Sequence, residues 1–399
     1  MMHAFTDSPE QARVINAPND DDILVVAGAG SGKTYTMTRR IVTLIGNGVA
    51  PERILGLTFT RKAAGELLDR VSSAVAEQSG ADEDPDRMFL KPTIATYDAF
   101  FQTIVRQYGL LVGFDRNTQP LSDAGALQLA ADVVERHLDE LSVRQDPPSI
   151  PQLAGDVRSL SNAIASAMIG PDCPGYAEAV AAIRRWDNAF ISRVRAALGD
   201  EPIPEKLFAG ALPKRAKKDS DEQWQVKLEQ YQAKLYANCV YQCDRIARTA
   251  EQRELLLDLV EEYNEEKRRR TMAEFGDFTI AAYQLVSRFP SIGRRYRERF
   301  SHVLLDEYQD TSTTQAMLLA ALFHPDDGGP CSAVSAVGDP FQSIYAWRGA
   351  SPGAFRMFER DFHMPPGTKP YALSTTRRNS RIVLEAANDL TLQIGRAHV

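Results

Sequence analysis

Residues 28 to 34 read Gly-Ala-Gly-Ser-Gly-Lys-Thr, a combination suited to holding phosphate. Gly28, Gly30 and Gly32 carry no Cβ, so the backbone from Ala27 through Ala29 and Ser31 can turn tightly and bring N–H groups against a polyphosphate. Lys33 then adds a point charge at the β- and γ-phosphates, and the Thr34 hydroxyl supplies a ligand for Mg²⁺. The strict spacing asks for glycine where Ala27 stands, and alanine is the smallest replacement. A second group, Asp306-Glu307, follows the apolar pair Leu304-Leu305. Asp306 is placed to hold the Mg²⁺, and Glu307 to orient and deprotonate an attacking water. A third group lies in VGDPFQSIYAWRGA (337–350). There Gln342 can sense a γ-phosphate, Tyr345 and Trp347 can stack on bases, and Arg348 can meet a phosphate. A Gly/Ser turn, an Asp-Glu helix cap and aromatic core packing are the plain alternatives. Their joint occurrence favours the chemical reading.

These groups need elements to position them. Ile23 to Val26 is a short apolar run, as expected of a strand buried on both faces, and a helix over Tyr35 to Ile45 would point its N-terminal dipole at the phosphates. Ile54 to Phe59 and Ile94 to Tyr97 are further strands, followed by helices at Ala63 to Val75 and Ala99 to Tyr108. Such alternation predicts a parallel sheet with crossover helices. From Leu111 to Arg270 the alternation gives way to helical periodicity, with an acidic loop at Asp82 to Asp86 before it and breaks at Asp146 to Pro151 and Pro202 to Pro204. Strands resume at His302 to Leu305 and Ala333 to Val337, whose carboxyl ends open on the same crevice as the phosphate loop. Pro365 to Gly367 reads as a linker, and Tyr371 to Leu373 as the first strand of another domain. The fold class is therefore α/β. The expected division is 1–110 and 271–366 for the sheet domain, 111–270 for a helical insertion, 367–393 for the start of a second sheet domain and 394–399 for a tail.

The chain has 399 residues, a formal net charge of −7, 44% hydrophobic and 25% charged residues. That length calls for two or three domains. The acidic balance does not advertise nucleic-acid binding, although a local basic groove suffices for it. Lys214, Arg215, Lys217 and Lys218, and the block Glu265 to Arg270, fit solvated faces better than phosphate tracks. No apolar run reaches the ~18 residues of a membrane span, and no secretory leader is legible, so a cytoplasmic location without membrane contact is expected. Cys239 and Cys243 stand four apart on a helix, but nothing nearby completes a metal set, and reduced thiols are the plainer reading for all four cysteines. Gln11 lies just ahead of the first strand. By residue type alone, a solvated helix position and a site position are equally open.

Taken together, the motifs resemble the ATPase core of UvrD/Rep/PcrA-type superfamily 1 DNA helicases. Six segments match in order: Ser8 to Gln11, the phosphate loop, TFTRKAA (58–64), ATYDAF (95–100), LLDEYQDTS (304–312) and VGDPFQSIYAWRGA. LSTTRRNS (373–380) is a weaker seventh, and GLTFTRKAAGEL (56–67) is similar to actinobacterial helicase–nuclease subunits of the AdnA type. The resemblance implies RecA-like domains, ATP and Mg²⁺, and single-stranded and duplex-junction DNA as partners. A further possible partner that it implies is a helicase or nuclease subunit. It implies that Gln11 reads adenine, Gln342 links the γ-phosphate to the DNA site, and Arg378 reaches the γ-phosphate from the second domain. Phe59, Tyr345 and Trp347 would contact bases, with Thr58, Arg61 and Thr96 near the backbone of the strand. The middle of the chain would be the accessory domain. Asp98 stands where such proteins have histidine, and Arg377 where they have an aromatic residue.

The expected activity is ATP-driven 3′-to-5′ movement on single-stranded DNA with duplex unwinding, in repair or recombination. The alternatives are an ATP-gated DNA-binding module, a P-loop kinase and part of a helicase–nuclease. The kinase reading leaves Gln342, Tyr345 and Trp347 without a role. Ile394 to Val399 (IGRAHV) resembles a translated sequencing adapter, so a longer natural chain is expected, and this one is expected to bind nucleotide weakly and neither to hydrolyse it well nor to unwind DNA.

Overall fold

The computed structural model describes residues 7–79, 91–139, 149–208, 210–326, 328–346, 349–376, 378 and 380–397. The acidic loop expected at Asp82 to Asp86, the first half of the break at 146–151, and Trp347, Arg348 and Arg377 lie outside them. The chain divides into two compact units, one of Met1–Ser122, Asn162–Gly175 and Arg270–Val399, the other of Asp123–Ser161 and Tyr176–Arg269.

The first unit is built on a six-stranded sheet. Its strands are β1 (Ile23–Ala27), β2 (Ile54–Thr58), β3 (Thr93–Thr96), β6 (His302–Leu305), β7 (Ala333–Gly338) and β8 (Tyr371–Leu373). Their order is β3-β2-β6-β7-β1-β8, and every pairing is parallel. β2 and β6 are buried along their whole length, as continuous Ile/Leu/Val runs predict for strands covered on both faces. Tyr371–Leu373, expected to open another domain, instead adds to β1 as the edge of this sheet, with Val25 opposite Tyr371 and Ala27 opposite Leu373. Burial is the physical reason: Leu373 joins the core cluster of Val25, Ala27, Met37 and Val337.

Helix α1 (Pro9–Ile15) precedes β1, α2 (Lys33–Gly46) and α3 (Arg61–Ser79) connect β1 to β2 and β2 to β3, and α4 (Tyr97–Tyr108) follows β3. Ser8 and Gln11 form a reciprocal capping box that starts α1, satisfying two otherwise orphaned backbone donors. Buried Arg40 donates to the carbonyls of Ile15, Ala17 and Pro18 and so fixes the path from α1 into β1. A two-residue strand, β4 (Gln119–Pro120), pairs in parallel with β5 (Met272–Ala273), where the chain leaves and re-enters this unit.

The second unit is helical. α5 (Asp123–Arg136) and the helix Tyr176–Leu198 accompany a 49-residue helix, Asp221–Arg269. Arg184 pairs with Asp258, Asp187 with Arg253, and Arg195 with Asp244. Partners descend as positions ascend, so the two helices run antiparallel. Lys267 is buried, with its ammonium 4.8 Å from the centre of the Tyr263 ring, a cation–π contact that offsets lost hydration. Among the described residues no helix is long and apolar enough to cross a membrane, and no group of three or more His, Cys, Asp or Glu could hold a metal.

Candidate active site

The carboxyl ends of β1, β6 and β7 carry the residues with chemistry. β1 ends at Ala27, and the chain turns through Gly30 (φ 74°) and Gly32 (φ 88°) into α2. Both glycines sit in the left-handed region and both are closely approached. A Cβ on Gly30 would lie 2.4 Å from Arg378 Cβ, and one on Gly32 would lie 2.8 Å from Gln11 Nε2. Gln11 is buried, and its Nε2 donates to the carbonyl of Ser31 at 3.2 Å while its Oε1 accepts the Ser8 N–H at 3.0 Å. It is therefore a brace between α1 and the loop. Across the loop, Thr376 Oγ1 donates to Ala29 O at 2.8 Å, and Glu10 holds the Ser374 N–H and hydroxyl, each at 2.7 Å. These contacts set Arg378 beside the phosphate loop.

β6 delivers the acids. Asp306 N–H continues the β2–β6 ladder to Leu57 O at 2.9 Å, and the Asp306 carbonyl accepts the Tyr97 hydroxyl at 3.0 Å. The backbone there is thus held from both sides. The Asp306 carboxyl is pushed up to about 7, first by burial and then by Glu307. Glu307 has φ 49°, a conformation that costs a residue with a side chain roughly 1–2 kcal/mol. That turn aims its carboxylate at Lys33, with Oε2 3.0 Å from Nζ. Asp310, also buried, is pushed up to about 6 by burial and then by Glu307.

Gln309 was given no role by sequence reasoning, yet it lies at the centre of the cluster. Its Nε2 donates to Glu307 Oε2 at 2.9 Å, and its Oε1 accepts the Asp339 N–H at 2.9 Å. Gly338 permits this approach, since a Cβ there would stand 2.2 Å from Gln309 Oε1. The Gly-Asp pair after β7 was the available signal. Gln342 sits in a single helical turn, Pro340–Gln342, and donates to Asp339 Oδ2 at 2.6 Å.

The residues expected along a DNA strand are placed as follows. Phe59 is half-buried, with its ring 4.8 Å from that of Tyr97. Arg61 is exposed in the first turn of α3, and Thr96 caps α4 by accepting the Ala99 N–H at 3.2 Å. Thr58 is fully buried and its hydroxyl donates to Thr60 O at 3.1 Å, so in this conformation it shapes the turn and presents no surface donor. Tyr345 is half-buried, while Phe341 and Ile344 beside it are exposed. Asp98 accepts a long hydrogen bond, 3.5 Å, from Gln315.

The loop fits a polyphosphate with a hard cation. Ser31 Oγ and Asp310 Oδ1 are buried with no hydrogen-bond partner among the described residues, and a Cβ on Gly28 would meet open space. The oxygen set of Thr34 and Asp306 is the kind Mg²⁺ takes.

A glycine-rich loop after a buried strand, an acidic pair after the next strand but one and a parallel sheet define a P-loop nucleotide-binding domain. The chain belongs to the UvrD/REP helicase N-terminal domain family, whose profile matches residues 7–363. It is 30% identical over 390 residues to the ATP-dependent DNA helicase UvrD1 of Mycobacterium tuberculosis (strain ATCC 25618 / H37Rv), covering 96% of this chain and 39% of that protein. It is 26% identical over 385 residues to the ATP-dependent DNA helicase PcrA of Bacillus subtilis (strain 168), covering 96% and 39%. An ATP-dependent helicase/nuclease subunit of Streptococcus thermophilus (strain ATCC BAA-491 / LMD-9) is 26% identical over 474 residues, covering 96% and 38%. The chain thus spans about two fifths of the length of these relatives.

Proposed function

We propose that this chain carries the nucleotide-binding half of an ATP-dependent DNA helicase that moves 3′-to-5′ on single-stranded DNA and opens duplex junctions in repair or recombination. The observation that carries the reading is the Lys33–Glu307 pair at 3.0 Å beside buried Asp306, where the carboxyl ends of strands β1 and β6 flank that of β7. ATP would lie along residues 27–34, with Gln11 beside the adenine and Lys33 on the outer phosphates. Thr34 and Asp306 would hold Mg²⁺, which supplies charge neutralisation at the β- and γ-oxygens. Glu307 would orient and deprotonate the attacking water, and Arg378 and Gln342 would face the γ-phosphate. Bases would meet Phe59, Tyr345 and Trp347, and the strand's phosphates would meet Arg61 and Thr96 around the turn shaped by Thr58. The helical middle, most of 111–270, would fill the role of an accessory domain, and the cytoplasm would be the compartment of such work. The name of the Streptococcus relative supports a variant in which the protein works beside a nuclease or a second helicase.

The test is equilibrium binding of a fluorescent ADP to the 399-residue chain, with and without Mg²⁺. Binding is expected to tighten with Mg²⁺ and to weaken at least about tenfold in Lys33→Ala, since a lost charge-assisted phosphate contact is worth about 1.5–3 kcal/mol. Binding indifferent both to Mg²⁺ and to Lys33 would sink the proposal.

A further inference from the structure

Gln309 joins two halves of the site that the sequence keeps apart. Toward β6, its Nε2 donates to the same Glu307 oxygen, Oε2, that pairs with Lys33. Toward β7, its Oε1 accepts the Asp339 N–H at 2.9 Å, and its backbone carbonyl accepts the Ser343 hydroxyl at 3.1 Å. Asp339 in turn holds Gln342 at 2.6 Å, and Ser343 lies two residues before Tyr345. The residue is buried, and Gly338 gives way so that the amide can enter. A carboxamide is suited to this place because one end donates and the other accepts. Glutamate could not donate to Glu307, and an apolar side chain could neither donate nor accept.

We infer that Gln309 is a positioning residue that holds the Glu307 carboxylate when Lys33 turns to phosphate, and that passes the position of the 339–345 loop to that carboxylate. Lys33 and Gln309 share one oxygen of Glu307, so a polyphosphate that draws Lys33 away leaves Gln309 as the remaining donor to that oxygen. A base stacking on Tyr345 shifts the loop that carries Ser343 and Asp339, and both contact Gln309 directly. The amide is therefore a hydrogen-bonded path between the DNA side and the hydrolytic side of this unit.

The inference rests on the function proposed above, and its test separates the two. In the 399-residue chain, the affinity for fluorescent Mg·ADP is measured with and without an oligo(dT) strand, and the ratio is the coupling between the sites. Gln309→Met keeps the length and removes the polar ends. It is expected to unfold cooperatively, to bind nucleotide alone and oligo(dT) alone within about threefold of the parent, and to lose most of the coupling ratio. Ser343→Ala, which removes one hydroxyl and leaves the amide in place, is expected to lower the ratio part of the way and serves if Gln309→Met does not fold. A ratio that stays at the parent's value in a folded variant overturns the role of Gln309 alone. A parent chain whose nucleotide affinity ignores oligo(dT) overturns the DNA-coupled reading itself.

Discussion

Replacing Asp306 by asparagine separates stability from function. The Asp306 carboxyl rises from 3.8 to about 7 because burial, and then Glu307, penalises its charged form. The folded chain therefore binds this proton more tightly than the unfolded chain does. The stability linked to that proton is complete below about pH 4, falls as the pH rises, and is lost above about pH 7. At about 1.4 kcal/mol for each tenfold change in proton affinity, the ceiling is roughly 4 kcal/mol. Roughly two thirds of it falls between about pH 5 and about pH 8. Local relaxation and the nearby Lys33 reduce it, so about 2 kcal/mol is expected over that interval. Asparagine is uncharged and keeps the Oδ1 that accepts the Glu307 N–H at 3.0 Å. Asp310 titrates in the same window in both proteins and cancels in the difference.

Urea unfolding of the parent and Asp306→Asn at both ends of that window reads the effect. The variant's advantage is expected to grow by about 2 kcal/mol from the acidic to the alkaline end. The same variant is expected to lose the tightening of ADP binding by Mg²⁺. An advantage that does not change with pH, or a variant less stable than the parent at about pH 8, would refute the claim that Asp306 is held near neutrality by burial.

Two further substitutions test the supports of the site. Tyr97→Phe removes the hydroxyl that holds the Asp306 carbonyl at 3.0 Å and leaves that buried acceptor short of a partner, so unfolding stability should fall by about 1–2 kcal/mol; an unchanged urea midpoint would show that the bond contributes nothing. Arg40→Lys cannot reproduce a fork that reaches the carbonyls of Ile15, Ala17 and Pro18, and a loss of roughly 2–3 kcal/mol is expected by thermal or urea unfolding; a loss below about 0.5 kcal/mol would mean that the path into β1 holds without it.

The sheet and the phosphate loop were legible because their signals are local. Ile23 to Val26 is an apolar run bounded by turn residues, and Gly-Lys-Thr places the helix start. Within the helical stretch expected over Leu111 to Arg270, one long helix runs over Asp221–Arg269. Acids in its first turn and Lys267, Arg268 and Arg269 in its last complement the helix dipole, a signal weaker than apolar periodicity. What escaped the sequence depends on distant approach. Gln309 gains its role only because β6 and β7 are adjacent and Gly338 yields space. Tyr97, expected to end a strand, begins α4 and reaches across to Asp306. Tyr371–Leu373 looked like the start of a new sheet because a linker precedes it. Its parallel register with β1 is a tertiary fact.

The site concentrates unfavourable features at the carboxyl end of a well-made sheet. Asp306 is held near neutrality, Glu307 takes a left-handed turn, and Ser31 Oγ and Asp310 Oδ1 are buried without partners among the described residues. Such features persist only where the surroundings over-determine them, and here they do. β2 and β6 are buried throughout, Asp306 N–H extends their ladder, and Val26 pairs opposite Gly338 at the end of β7. The raised proton affinity of Asp306 and the unpaired Ser31 hydroxyl are features that a phosphate with its cation would relieve. A cation would favour the charged form of Asp306, and phosphate oxygens could accept from Ser31. Lys33 already answers the Glu307 charge, so binding a polyphosphate requires an exchange of partners. After that exchange, the orientation of Glu307 depends on the strained turn beneath it and on the Gln309 amide beside it.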